Sequence, residues 1–256
     1  MLQMDSLRRF TKPCDEVKLY VRSMRGGFSR GTFDSLINIS EFMDSNPEHQ
    51  NRLKNPYALN PDDSIKNNTL QSNLNTVKWD KNIQRWICPF IMAGINTRIV
   101  RRTNAITEHS YGYNFRYSES YSFRKGVKGF FKAIYMLIGL GSLRIIIKVR
   151  PLLWILKQFF LPKSGQGPSK IKRDNGYFKL KIIGLMNNIE KNSITVIGNT
   201  DPGYSATAKM LTESALSVLL DEERIPKVYG VLTPASGIGL NLVERLKGKG
   251  IDFIID

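Results

Sequence analysis

The sequence predicts an α/β protein, and three observations carry that prediction. Val17, Leu19 and Val21 alternate with Lys18, Tyr20 and Arg22, enter a glycine-rich turn, and lead into helical spacing at Phe33, Leu36, Ile37, Ser40 and Met43. Tyr111 to Phe123 alternates strictly, aromatic against polar. Ser193 to Asn199 is an apolar strand that runs straight into a helix start rich in capping residues. The chain has 256 residues and is 41% hydrophobic, enough for a real core in one large domain or two small ones.

The formal charge is +16 and the isoelectric point about 9.9, which suits an anionic partner. Nucleic acid rests on that charge alone, because no zinc spacing, RNA-recognition signature or helix-turn-helix pattern accompanies it. Cys14 and Cys88 stand far apart in dissimilar contexts, so a disulfide framework is not expected and a reducing, intracellular compartment is. His49 and His109 are the only histidines, which excludes a His-rich metal site and leaves a Ser-His-Asp triad without a nucleophile-elbow motif. Met1 to Phe10 has no apolar stretch of the kind a secretory signal needs.

In chain order, a strand over Glu16 to Met24 is followed by the loop Arg25-Gly26-Gly27-Phe28-Ser29-Arg30-Gly31-Thr32. That loop is either a tight strand-to-helix turn or a ligand-lining turn, and its spacing fits neither the dinucleotide fingerprint nor the P-loop. Pro47 to Thr76 is polar, with Asn-Pro and Pro-Asp-Asp turns, and reads as surface loop with short helical pieces. Val77 to Asp80 and Gln84 to Ile87 read as a hairpin. Phe90 to Ala105 reads as a helix with Pro89 in its first turn, Met92, Ile95 and Ile99 on one face, and Arg98, Arg101 and Arg102 at its negative end. The aromatic row from Tyr111 to Phe123 is a core face or the wall of a pocket.

Gly126 to Lys163 is apolar and basic, and from Arg124 to Lys163 no acidic residue occurs. Its longest uncharged run, Ala133 to Leu143, falls short of the roughly 20 apolar residues that span a bilayer. Two readings remain: a helix lying in a membrane interface, or a pair of buried helices whose lysines snorkel. The interface reading names Lys125, Lys128, Phe131, Lys132, Arg144, Lys148 and Trp154 as contacts, each cation adding about 1 kcal/mol at an anionic leaflet. Ser164 to Ser169 is a hinge. Gly176 to Asn187 and Ser193 to Asn199 form a second hairpin around Asn188 to Asn192. A helix from Pro202 to Asp221 follows, its start able to pack on a sheet or to hold an anion on free N–H groups. After Val228 to Ser236 a helix runs to Lys249, and Ile251 to Ile255 closes the chain.

Four blocks taken together carry a resemblance. They are Arg25 to Thr32 with Ser35; Trp86-Ile87-Cys88-Pro89-Phe90-Ile91-Met92-Ala93 with Ile95-Asn96 and Val100-Arg101-Arg102; Asp201-Pro202-Gly203-Tyr204-Ser205-Ala206-Thr207-Ala208-Lys209-Met210; and Gly230-Val231-Leu232-Thr233-Pro234-Ala235. In this order, from about Val17 onwards, the chain resembles the saccharopine dehydrogenase-like oxidoreductases. That group includes the bacterial trans-acting enoyl reductases of lipid synthesis and animal proteins found with lipid droplets.

The resemblance implies an N-terminal Rossmann domain that binds NADP or NAD, followed by a second α/β domain with a mixed sheet and flanking helices. Here the strand–glycine–helix fingerprint is missing: Gly139-Leu140-Gly141 and Gly237-Ile238-Gly239 both fail to match it. Arg30 also stands where the family's loop has a glycine, and arginine reaches positive φ at greater cost. The chain is therefore expected to comprise a leader or remnant at 1–16, the family's second domain at 17–229 with a basic apolar insert at 124–163, and a segment at 230–256 that would return to the Rossmann domain. Gly27, Ser29, Thr32 and Tyr204, with the Tyr113–Tyr121 strand beside them, are expected to line the substrate side. The resemblance assigns no catalytic, cofactor-binding or metal-ligating residue to this chain.

Two functions follow from the resemblance and the basic region. One is the C-terminal portion of an NAD(P)-dependent oxidoreductase acting on lipid or lipid-linked substrates, with the dinucleotide not bound by this chain alone. The other is a non-catalytic protein of membrane or lipid-droplet surfaces. The expected partners are a lipid surface and either a second copy or the missing cofactor domain.

Overall fold

The computed structural model describes residues 14–26, 30–61, 71, 73–161 and 167–256. Its centre is a seven-stranded sheet. The strands are β1 (Glu16–Arg25), β2 (Lys78–Asp80), β3 (Arg85–Pro89), β4 (Arg116–Phe123), β5 (Tyr177–Met186), β6 (Ile189–Gly198) and β7 (Ile251–Ile255), in the order β2-β3-β4-β1-β5-β6-β7. The β1–β4 pair is parallel and every other pair antiparallel, so the sheet is mixed. A parallel pair needs a long crossover. Here it carries α1 (Arg30–Ser45), α2 (Pro47–Lys54), the β2–β3 hairpin and α3 (Ala93–Ile106).

Register fixes what each face holds. Val17, Leu19 and Val21 lie level with Tyr117, Glu119 and Tyr121 on one side and with Gly184, Ile182 and Leu180 on the other. That face meets α3, α7 (Ser205–Leu220) and α9 (Leu240–Leu246). One cluster joins Cys14, Val17, Tyr111 and Phe115 with Val100 of α3. A second joins Phe178, Ile194, Val196 and Ile251 with Ala206 of α7 and Leu246 of α9. On the opposite face Tyr20, Ile87, Ile183 and Leu185 are covered by Leu74 and Ile83. The expected hinge at 164–169 lies partly outside the described residues; α6 (Lys170–Asp174) follows it, β5 rejoins the same sheet, and β7 closes it as an edge strand against β6.

Several expectations need correction. Of Tyr111–Phe123 only Arg116–Phe123 is strand, and Tyr111 and Phe115 turn back into the core edge-to-face at 5.2 Å. β4 lies between β3 and β1, so its polar alternates Ser120 and Ser122 are buried as deeply as an apolar row would be. Pro89 stays in β3 opposite Ser120, and α3 starts four residues later. The face of α3 that docks is Ala93, Thr97, Arg101 and Asn104, while Ile95 and Ile99 are 47% and 36% exposed. The arginines do not serve the helix end. Arg98 bonds the Gly94 carbonyl, Arg102 the Leu59 and Val231 carbonyls, and buried Arg101 the Pro56 carbonyl beside the Tyr57 ring. The helix expected to end at Lys249 is broken in two. Gly239, at φ 70°, separates α8 (Pro234–Gly237) from α9.

Gly126–Lys163 departs furthest from the buried-pair reading. Its described part forms α4 (Val127–Lys148), α5 (Arg150–Ile155) and a π-helical turn (Leu156–Phe160). In α4 only Gly129 and Ala133 are buried. The helix runs unbroken through Lys132 and Arg144, and with 22 residues and an 18-residue window of mean hydropathy 1.8 it is long and apolar enough to cross a membrane by length and composition. The uncharged run understated it, because a charged residue interrupts a run without ending a helix.

Candidate functional site

One end of the sheet gathers the chemistry. β4 and β6 run in the direction of β1, and β3 and β5 run against it. The ends of β1, β4 and β6 and the beginnings of β3 and β5 therefore share one edge. Gly26, Arg124 to Val127, Trp86, Gly176 and Asp201 to Tyr204 all stand there.

At the β6 side of this edge lies Asp201, 1% exposed. Its Oδ1 accepts from the Gly203 N–H at 3.0 Å, and its Oδ2 from Tyr204 and Ser205 at 2.8 and 3.3 Å. The N–H groups that could have held an external anion thus hold the chain's own carboxylate, and α7 proper starts only at Ser205. Two glycines make room for the turn. A Cβ on Gly176 would stand 2.3 Å from the Asp201 Cα, and one on Gly26 would stand 2.7 Å from Asp201 Oδ1 and 2.6 Å from Pro202 Cδ. The Tyr204 ring lies against Gly167.

Of the residues expected to line a substrate, Gly27 and Ser29 lie outside the described residues. Thr32 is half-buried in the first turn of α1, and Tyr204 is half-buried just before α7. The structure brings together the two chain segments that carry them, through Gly26 against Asp201 and Pro202. The other two resembling blocks also meet. The Thr103 and Thr233 hydroxyls are 2.8 Å apart, and Arg102 Nη2 bonds the Val231 carbonyl at 2.6 Å. Thr233 and Ser236 form a reciprocal capping box on α8.

Sequence reasoning missed a buried carboxylate. Glu119, 5% exposed in mid-β4, receives the Asn96 amide on Oε2 at 2.9 Å and the Tyr117 hydroxyl on Oε1 at 2.8 Å. Burial raises its pKa above the ordinary glutamate range, against the lowering effect of the two hydrogen bonds. Tyr117 is pushed up for the same reason, burial first and the Glu119 charge second. The signal was there: a carboxylate in an otherwise aromatic alternation must find donors. The cluster fastens α3 to β4, and Glu119 does not line the cleft described next.

At the β3 side of the same edge is an open cleft of about 490 Å³, lined by Trp79, Trp86, Gly126, Val127 and Phe130. Trp86 meets Trp79 edge-on at 5.2 Å and Phe130 at 4.9 Å. Phe131, the next residue, points outward at 63% exposure, and Trp154 is 61% exposed. Lys125, Lys128, Lys132, Arg144 and Lys148 are all exposed. Lys148 meets Asp44 of α1 at 3.7 Å, a contact between solvated side chains and so of little energetic weight.

Neither glycine pair singled out in the sequence forms a dinucleotide turn. Gly139 and Gly141 lie inside α4, Gly237 ends α8, and none of the three follows a strand. No group of three or more metal-ligating side chains occurs among the described residues.

The fold and the edge site together define an α/β protein with a mixed sheet, an aromatic cleft and a basic apolar helical arm. Comparison with known proteins adds a relationship by descent. The chain is 33% identical over 244 residues to a Mycobacterium tuberculosis protein whose name provisionally assigns it as a trans-acting enoyl reductase, covering 91% of this chain and 57% of that one. It is 30% identical over 253 residues to the trans-acting enoyl reductase of Mycobacterium ulcerans, covering 92% and 58%. With the trans-acting enoyl reductase of Mycobacterium bovis it shares 35% identity over 172 residues, covering 65% and 40%. The chain thus spans under three fifths of the length of these relatives. No family model matches the chain, and no solved structure does.

Proposed function

We propose that this chain is the substrate-side domain of an NAD(P)H-dependent oxidoreductase that reduces lipid or lipid-linked enoyl groups, of the saccharopine dehydrogenase-like kind. The observation that carries the reading is 33% identity over nine tenths of the chain to a protein provisionally assigned as a trans-acting enoyl reductase, with 30% identity over a similar span to the trans-acting enoyl reductase of Mycobacterium ulcerans. The dinucleotide is supplied with a separate domain, from further sequence or another chain, since the described residues offer no glycine fingerprint. Leu211, Leu219, Tyr229 and Val231 are 71% to 90% exposed and are available for contact with such a domain. In this reading the protein's own part is to bind and orient the acyl substrate at the sheet edge, while the nicotinamide supplies the hydride.

The test is to purify the native species that carries this sequence and follow NADPH oxidation with a medium-chain enoyl thioester. Turnover by the native species, with no NADPH binding by the isolated 256-residue chain, is the expected result. A native species that neither binds NADPH nor turns over the thioester overturns the proposal.

A second reading, a protein of lipid surfaces, has its own observation. α4 and α5 expose Val127, Phe131, Tyr135, Ile138, Ile145 and Trp154 among cations with no acidic residue between them. Binding to a bilayer is compatible with either function.

A further inference from the structure

We propose that the aromatic cleft at the root of α4 binds an anionic lipid, its acyl chain between Trp79, Trp86, Val127 and Phe130 and its head group on Arg124, Lys125 and Lys128. The cleft has the character of an acyl-chain site. Its lining is wholly aromatic, aliphatic or glycine, and its volume of about 490 Å³ lies in the range of small-molecule pockets. Trp79 and Trp86 are half-buried and both line the cleft.

Charge selects the head group. Arg124, exposed, directly follows Phe123, the strand partner of cleft-lining Trp86. Lys125 directly precedes Gly126, and Lys128 directly follows Val127, both of which line the cleft. Among the described residues no ion pair includes Arg124, Lys125 or Lys128. Gly126, at φ 90°, has open space on its Cβ side, which leaves the cleft mouth clear.

The site requires neither a cofactor nor turnover, so it can fail while the reductase reading stands, and the reverse. The measurement uses the full chain carrying Trp154→Phe, which leaves Trp79 and Trp86 as the only tryptophans. Dodecyl phosphate, dodecyltrimethylammonium and dodecyl maltoside are each titrated below their micelle concentrations while tryptophan emission is followed. Dodecyl phosphate should shift the emission saturably and bind about tenfold more tightly than the ammonium compound. R124E/K125E/K128E, three changes at exposed positions, should reverse that order. V127F, at a residue 71% exposed, should weaken all three by narrowing the cleft without disturbing the core. A flat titration in the Trp154→Phe protein overturns the site. Equal binding of the phosphate and ammonium amphiphiles overturns the head-group assignment.

Discussion

Tyr117 donates its hydroxyl to Glu119 Oε1 at 2.8 Å, along the same face of one central strand. With Asn96 on Oε2, the carboxylate has a donor on each oxygen and still keeps a raised pKa, because burial outweighs them. The folded state therefore holds this proton when the unfolded chain has already released it. Stability from this group is full below the ordinary glutamate value of about 4.3 and falls as pH rises through that value to the raised one.

Glu119→Gln should remove that pH dependence and keep an acceptor for one donor. Glu119→Ala should cost more, about 1–3 kcal/mol for each donor left buried and unpaired. Denaturant melts of wild type and both variants across the acid range check this. Identical pH slopes in wild type and Glu119→Gln would refute the assignment.

Gly176 and Asp201 are packed so closely that no side chain fits between them. The obstacle is the backbone of residue 201, which cannot swing aside. Gly176→Ala should lose at least the roughly 1–3 kcal/mol of an overpacked site. Gly139→Ala, in open space on α4, should be neutral or slightly stabilising. Thermal melts of the pair separate a steric effect from a general intolerance of alanine.

Asp201→Ala should destabilise the start of α7 by about 0.5–2 kcal/mol, the usual worth of a cap, with Asp201→Asn intermediate. Amide exchange at Gly203, Tyr204 and Ser205 should accelerate in the alanine variant. Unchanged exchange at those three amides would show that the cap is not what holds them.

α7 and α9 are tied by Arg245, which bonds Glu213 at 2.9 Å and Asp221 at 2.8 Å, while Asn241 bonds Asp221 at 2.7 Å. The Asn241 bond first, then Arg245, hold the Asp221 carboxyl below its ordinary range. Its stabilisation is present above the ordinary aspartate value of about 3.9 and is lost as pH falls through the depressed folded value. Arg245→Met should shrink that acid-side loss; melting temperature against pH shows it. An unaltered acid limb would mean that the tie does not titrate with folding.

The lipid-surface reading calls for vesicle flotation. Binding to anionic vesicles at low salt should fall by about fivefold for each neutralisation among Lys125, Lys128, Lys132 and Arg144, and should vanish in neutral vesicles. Salt-insensitive binding would instead indicate that α4 inserts through its apolar surface alone.

The sequence by itself determined the local elements. β1, the β2–β3 hairpin, the β5–β6 hairpin and the turn before α7 follow from alternation, turn residues and capping, which act over a few residues. It also identified Gly126–Lys163 as unusual, since composition needs no fold. What the sequence could not supply was the partner of each face. Periodicity says which side chains lie together and is silent on what covers them. Only the tertiary structure placed β4 between β3 and β1, burying Ser120, Ser122 and Glu119 where an edge strand would have left them wet. It alone turned Ile95 and Ile99 outward and Thr97 and Arg101 inward. It set Gly26 and Gly176 against Asp201 across more than 170 and 20 residues of chain respectively. The same closeness filled the helix start with the chain's own carboxylate. Those contacts join residues distant in sequence, and their energies come from packing and desolvation that no local pattern encodes.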